Sequence, residues 1–311
     1  MTTALTISQL TKTYKNGKKA LQGVDLSVPE GSFFALLGPN GAGKSTLINI
    51  LADTVKPSSG KVSFLGHDLF SERRWCKQRL GVVPQEIAFD PFFAPRDILK
   101  IMSGMFGVQP DLKWIEELLN RLELSEHAHK NARQLSGGMR RRLLVAQALV
   151  HKPKVVILDE PTAGVDVELR KRLWGFMREL NASGTTILLT THYLEEAEEL
   201  CDHVAIINQG KLLTSQSMKS LLDNVGSSSL VLEYADAKTI SGDIKNKLAD
   251  FCPRTQDNKV ILSLKKCDGH SNFNDAYQAA LACWGEAISV NIQDEDLEDV
   301  FLRLTHNGAS A

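Results

Sequence analysis

The sequence predicts an α/β fold with a mostly parallel sheet at its centre, and three observations support this. First, the apolar run Phe33-Phe34-Ala35-Leu36-Leu37 leads into Gly38-Pro39-Asn40-Gly41-Ala42-Gly43-Lys44-Ser45-Thr46 and then into Leu47-Ile48-Asn49-Ile50-Leu51, the order strand, glycine loop, helix. Second, from Leu143 onward helical stretches alternate with short apolar runs, the pattern of parallel strands joined by helical crossovers. Third, 311 residues at 43% hydrophobic supply one substantial core and a second, smaller one.

The elements follow in order. Strands are expected at 5–10, 24–28, 33–37, 61–65 and 80–83, punctuated by Gly17, Gly23, Gly31, Gly60 and Gly66. A mostly helical stretch covers about 96–132. After the helix from Leu143 come a buried strand at 155–158, a helix near 169–180, a strand at 185–189, a helix at 193–200 and a strand at 203–207. Gly226-Ser227-Ser228-Ser229 reads as a linker, with strands at 230–234 and 260–264 and helical segments beyond it. The expected division is therefore a domain at 1–225, with a helical subdomain at about 86–150, and a small α+β domain at 226–311.

Composition narrows the function. A net charge of −1 gives no global attraction to nucleic acid or to an anionic membrane. The five cysteines are widely spaced and form no C-x-x-C pair, so neither a disulfide framework nor a zinc site is expected, and a reducing compartment follows. No charged segment leads into an apolar one at the start of the sequence, and no apolar stretch approaches membrane-spanning length. The expectation is a cytoplasmic protein whose membrane attachment comes through a partner.

The glycine loop has the chemistry of a phosphate cradle. Gly38, Gly41 and Gly43 let several backbone N–H groups converge on phosphate oxygens, and the following helix adds the positive end of its dipole. Lys44 supplies a mobile charge for the β and γ phosphates of a nucleoside triphosphate, Ser45 a hydroxyl for Mg²⁺, and Thr46 a further phosphate contact. The run Val155-Val156-Ile157-Leu158-Asp159-Glu160 ends a buried strand in two carboxylates at the sheet edge where phosphate loops also lie. Asp159 is expected to hold Mg²⁺ through water and Glu160 to act as general base. Between these motifs, Ser136 is an N-cap candidate in Leu135-Ser136-Gly137-Gly138-Met139, a second anion site. Arg140, Arg141 and Arg142 after it read as a solvated basic face.

Phosphate loop, Leu-Ser-Gly-Gly and the apolar run into Asp-Glu, in that order, resemble the ATP-binding subunits of ATP-binding-cassette (ABC) transporters over residues 1 to about 220. The resemblance implies a P-loop NTPase-type mixed sheet core, ATP and Mg²⁺ as ligands, and ATP hydrolysis. It implies that Tyr14 stacks on adenine, that residues 38–46, including Pro39, Asn40 and Ala42, wrap the phosphates, and that Gln85 senses Mg²⁺ and the membrane subunit. It further implies that His192 contacts the γ phosphate and that Asp166 sits in a loop crossing a dimer seam. Ser136, Gly137 and Gly138 would cover the ATP of a second copy, making a homodimer or a pair with a homologous ATPase, docked on a separately encoded integral membrane permease.

The ending Leu297-Glu298-Asp299-Val300-Phe301, with Val83-Pro84-Gln85-Glu86, resembles the bacterial exporter branch that handles drugs, polysaccharides or lipophilic compounds. Two other readings compete. A non-transport ABC ATPase acting on nucleic acid or ribosomes is disfavoured because neither a second Gly-x-x-x-x-Gly-Lys nor a sustained heptad region is present. A nucleotide-sensing module without turnover is disfavoured by the intact Glu160 and His192.

Overall fold

A computed structural model describes residues 2–84, 90, 92–162, 164–225, 228–264, 266–267, 270–271, 273–294 and 296–307. The chain divides into two compact units, one ending at Met218 and the other running from Lys219 to Asn307.

The first unit contains β1 (Thr3–Thr13), β2 (Lys19–Pro29), β3 (Phe33–Leu37), α1 (Lys44–Leu51), β4 (Ser59–Phe64), β5 (His67–Asp68), α2 (Arg73–Lys77), β6 (Leu80–Val83), α3 (Pro95–Met105), α4 (Leu112–Arg121), α5 (Gly137–Leu149), β7 (Val155–Asp159), α6 (Val167–Ala182), β8 (Thr186–Thr190), α7 (Leu194–Leu200), β9 (His203–Asn208) and β10 (Lys211–Ser217). Strands β9, β3, β8, β7 and β6 lie side by side in that order, all parallel, with β10 antiparallel at one edge. β3, β7 and β8 are buried at every position, as strands covered on both faces must be, which is why residues 33–37, 155–158 and 187–189 are apolar runs without alternation.

A second, antiparallel sheet has the order β2-β1-β4-β5. β2 alternates buried Val24, Leu26 and Val28 with exposed Asp25 and Ser27, the period of a sheet with one wet face. Leu5, Ile7, Leu26, Val62 and Phe64 from this sheet join Phe34, Leu36, Ile157 and Leu188 from the parallel one, with Leu47, Ile50 and Leu51 of α1, in one apolar cluster. Burying such side chains is worth about 1.5–3 kcal/mol each, and here it fixes α1, and so the loop before it, against both sheets.

The helical stretch after β6 contains α3 and α4, then 3₁₀ turns at Ser125–His127 and Ala132–Gln134. Pro95 opens α3, where its missing N–H costs nothing, and Asp111 caps α4 by accepting from Trp114 N at 3.1 Å. The expectation that Arg141 and Arg142 lie on a solvated face is corrected: both are buried. A guanidinium leaves water when backbone carbonyls replace its hydration, and Arg142 Nη1 donates to Leu122 O at 2.7 Å. Only Arg140 of the three keeps partial exposure.

α8 (Met218–Val225) begins on the last residue of the first unit and continues into the second. Beyond it come β11 (Ser228–Glu233), α9 (Gly242–Lys247), β12 (Arg254–Gln256), β13 (Lys259–Leu264), β14 (Lys266–Cys267), β15 (His270–Ser271), α10 (Phe273–Trp284), β16 (Ser289–Asp294) and α11 (Leu297–Asn307). Its sheet is antiparallel, β12-β13-β11-β16. Leu230, Leu232, Val260, Leu262 and Leu264 pack with Ala276 and Ala280 of α10.

The proposed linker is corrected in part. Ser228 and Ser229 belong to β11, paired with Leu264 and Ser263 on one side and Asp294 and Gln293 on the other. Strand membership there comes from ladder partners, which two serines do not announce; Gly226 and Ser227 lie outside the described residues. Strands β10 and β16 were also not expected, since each carries several polar side chains at a sheet edge. Among the described residues no helix is long and apolar enough to cross a membrane.

Candidate functional site

The C-terminal ends of β3, β8 and β7 lie next to one another, so the loops that follow them emerge on one edge of the sheet. Two glycines in the loop after β3 are dictated by contact. A Cβ on Gly38 would stand 2.2 Å from Ile207 O, and Gly43, the N-cap of α1 at φ 113°, would place one 2.6 Å from Ala20 O. The loop and α1 N-terminus open onto a cleft of about 280 Å³ lined by residues 40–46, Tyr14, Lys18, Ala20, Asp159 and Glu160.

Lys44 Nζ donates to Gly38 O at 2.5 Å and to Pro39 O at 3.1 Å, folding the ammonium over its own loop. Burial lowers the Lys44 pKa, while the charges of Glu160 and Asp159 act in the opposite direction. Thr46 Oγ1 and Tyr14 Oη are 3.3 Å apart, which sets the Tyr14 ring at the cleft mouth with about a third of its surface exposed, 36%. Ser45 occupies the exposed second position of α1.

Asp159 is buried as the last residue of β7, and Thr190 Oγ1 at the end of β8 donates to its Oδ1 at 2.5 Å. Burial pushes the Asp159 carboxyl above the ordinary range, the Thr190 hydroxyl opposes that shift, and the charge of Glu160 adds to it. Glu160 follows with φ 51°, a left-handed conformation that a side chain disfavours. Its N–H donates to Thr190 O at 3.0 Å, and His192 Nδ1 lies 3.7 Å from its Oε2.

Of the expected site residues, the structure gathers Tyr14, residues 40–46, Asp159 and Glu160 around the cleft, with Gly38 and Pro39 at its base and His192 beside Glu160. It does not bring Ser136, Gly137 or Gly138 into the lining of this cleft. Ser136 is the N-cap of α5, its Oγ accepting from Met139 N at 3.2 Å. Asp166 caps α6, accepting from Leu169 N at 3.0 Å. Gln85 lies outside the described residues.

Two contributors to the site, and one buried junction beside it, were not legible in the sequence. Lys18 lines the cleft because the turn after β1 returns the chain toward Tyr14, whose N–H donates to Lys18 O at 2.9 Å. Thr190 gives no signal beyond closing an apolar strand. Thr162 and Trp174 both donate to the fully buried Glu196, at 2.9 and 2.7 Å.

A glycine loop feeding a helix, a lysine folded over it and a buried aspartate facing it across one cleft define a nucleoside-triphosphate-binding α/β ATPase. Residues 21–163 match the family model described as ABC transporter. The chain is 34% identical to the daunorubicin resistance ATP-binding protein DrrA3 of Streptomyces coeruleorubidus over 306 residues, 97% of this chain and 96% of that one. It is also 34% identical to the linearmycin resistance ATP-binding protein LnrL of Bacillus subtilis (strain 168), covering 93% and 94% of the two chains, and 35% identical to the Nod factor export ATP-binding protein I of Burkholderia lata, covering 93% and 92%. Among solved structures, an ATP-binding subunit of an ABC transporter superposes at TM-score 0.67 with 26% identity, over 71% of this chain and 93% of that one. A dimeric ATP-binding cassette in a post-hydrolysis state with ADP and Pi superposes at 0.64, also at 26% identity, over 69% and 98%. The chain belongs to the ABC transporter family, among its ATP-binding proteins. It is an ATPase, and ATP is its substrate.

Proposed function

We propose that this chain hydrolyses ATP to power export through a separate integral membrane permease, as one half of a head-to-tail pair of ATP-binding subunits on the cytoplasmic face of the membrane. The observation that carries the reading is the near end-to-end match, both units included, to ATP-binding proteins named for resistance and export. A reading centred on nucleic acid has no comparable support, since the motifs occur once each and the net charge is −1.

In this reading the loop amides of residues 40–45 and the Lys44 ammonium hold the β and γ phosphates, and Tyr14 stacks on the base. Lys44 must leave the carbonyls of Gly38 and Pro39 to reach a phosphate. Ser45 Oγ and the Asp159 carboxylate are hard oxygen donors lining the same cleft, a set that suits Mg²⁺, which takes one or two protein oxygens and fills the rest with phosphate and water. When bound, that ion neutralises phosphate charge. Gln85 is proposed to join the same ion.

Glu160 accepts the proton of the attacking water, and His192, next to it, donates to the γ phosphate. Ser136, Gly137 and Gly138, standing outside their own cleft, cover the ATP of the second copy, with Asp166 at the seam between copies. Residues 1–225 form the ATPase domain and 226–311 an accessory domain.

The test is purification of the tagged full chain from detergent-solubilised membranes, with ATPase measured on the eluate. An integral membrane protein in stoichiometric amount with Mg²⁺-dependent ATP hydrolysis is the expected result. Enrichment of RNA or DNA without a membrane partner overturns the export reading.

A further inference from the structure

Arg141 lies in α5, five residues beyond the N-cap Ser136, and its side chain turns into the protein. Among its acceptors are three main-chain carbonyls, two of them at the Asp159-Glu160 wall of the cleft. Nη1 donates to Pro84 O at 2.6 Å, directly before Gln85, and Nη2 donates to Asp159 O and, at 2.8 Å, to Glu160 O. The carbonyls on both sides of the Glu160 residue therefore converge on one guanidinium.

That convergence coincides with the left-handed backbone of Glu160. The conformation decides where the Glu160 side chain leaves the chain, and a non-glycine residue holds it only when the surroundings over-determine it. The anchors around this residue are Thr190 O, which takes the Glu160 N–H, and Arg141, which holds the Asp159 and Glu160 carbonyls. A planar fork with several fixed donors spans such carbonyls; a lysine in its place offers one rotating point charge on a shorter reach. Burial works against the guanidinium charge, and the neighbouring Asp159 and Glu160 carboxylates offset part of that.

We propose that Arg141 is a positioning residue for ATP hydrolysis: its guanidinium clamps the left-handed Glu160 peptide so that the carboxylate points into the cleft. The helix that begins at Ser136 thereby carries the support for the base of its own chain. The proposal rests on the assignment of Glu160 as the base.

The experiment compares the full-length wild type with Arg141→Lys, Arg141→Ala and Glu160→Gln, reading ATP dissociation constant, KM and kcat. With the clamp in force, Arg141→Lys and Arg141→Ala keep ATP affinity within about threefold of wild type while kcat falls about tenfold or more, since only the attack geometry is lost. Guanidinium chloride, at concentrations well below those that unfold the protein, raises the kcat of Arg141→Ala and not that of wild type. Wild-type kcat in Arg141→Lys overturns the proposal. So does a loss of ATP affinity or of folding that parallels the loss of turnover, or an Arg141→Ala enzyme indifferent to guanidinium. Glu160→Gln separates the two layers: if it still turns over, the base assignment fails, whereas if it is inactive while Arg141→Lys is not, only the clamp fails.

Discussion

Thr162 donates its hydroxyl to the carboxylate of Glu196 at 2.9 Å in a place where neither residue reaches water, and Trp174 Nε1 donates to the same oxygen at 2.7 Å. Glu196 has no cationic partner among the described residues; it is held by these neutral donors. The three residues join the segment after Glu160, the helix α6 that Asp166 caps and the helix α7 that follows His192.

The Glu196 junction is expected to be structural, and its chemistry separates two substitutions. Glu196→Ala orphans both donors, each worth about 1–3 kcal/mol when buried and unsatisfied, so urea denaturation should report a loss of about 3 kcal/mol or more. Glu196→Gln keeps one oxygen able to accept both and should lose less than half as much. Equal losses in the two variants would contradict the hydrogen-bonding account.

Lys44→Ala removes the mobile cation of the phosphate loop. A charge-assisted hydrogen bond is worth about 1.5–3 kcal/mol, so ATP affinity should drop by about tenfold or more in a fluorescence titration. Unchanged affinity would remove Lys44 from phosphate binding.

Glu160→Gln keeps shape and reach but removes the carboxylate proposed as the base. ATP binding should survive, turnover should fall to background, and the variant should accumulate as an ATP-dependent dimer in gel filtration. Wild-type turnover would take Glu160 out of the chemistry.

Ser136→Arg places a bulky cation at the α5 cap, away from the cleft of its own chain. ATP binding by the single chain should persist while ATPase activity is lost, because the surface proposed to cover the ATP of the second copy is filled. Normal activity in that variant would sink the paired-site arrangement.

His151 gives a pH prediction. Its ring is buried and stacked on Phe106 at 3.6 Å, Nε2–H donates to Leu80 O at 3.2 Å, and burial lowers its pKa from 6.5 to about 4. Among the described residues Nδ1 has no acceptor for a second proton. Between those two values the unfolded chain binds the proton that the folded chain refuses, so this contribution to stability is full above pH 6.5 and is lost as pH falls toward 4. From pH 7 to pH 5 the loss from this residue is about 2 kcal/mol. His151→Gln, which keeps a donor for Leu80 O, should flatten the stability curve over that range; an equally steep curve in the variant would refute the assignment.

The sequence by itself determined the parallel core and the phosphate loop. Phe33–Leu37 was legible to the residue because a strand covered on both faces must be apolar throughout, and Leu80–Val83 because a short, mostly buried run with β-branched Val82 and Val83 favours a strand. Gly38 and Gly43 were legible because a tight strand-to-helix loop leaves few residue choices, and a Cβ at either would run into a main-chain oxygen. Local chemistry of this kind is written in consecutive residues.

Only the tertiary structure decided what depends on partners distant in the chain. The polar edge strand Lys211–Ser217 exists because β9 offers it a ladder, and Ser228 and Ser229 are strand because β13 and β16 flank them. Arg141 in the sequence is one of three consecutive basic residues and reads as solvated. In the fold, the carbonyls of Pro84, Asp159 and Glu160, 57, 18 and 19 residues away, replace its water. Burial of a charge is decided by whether acceptors gather around it in space, and neither residue type nor spacing along the chain records that.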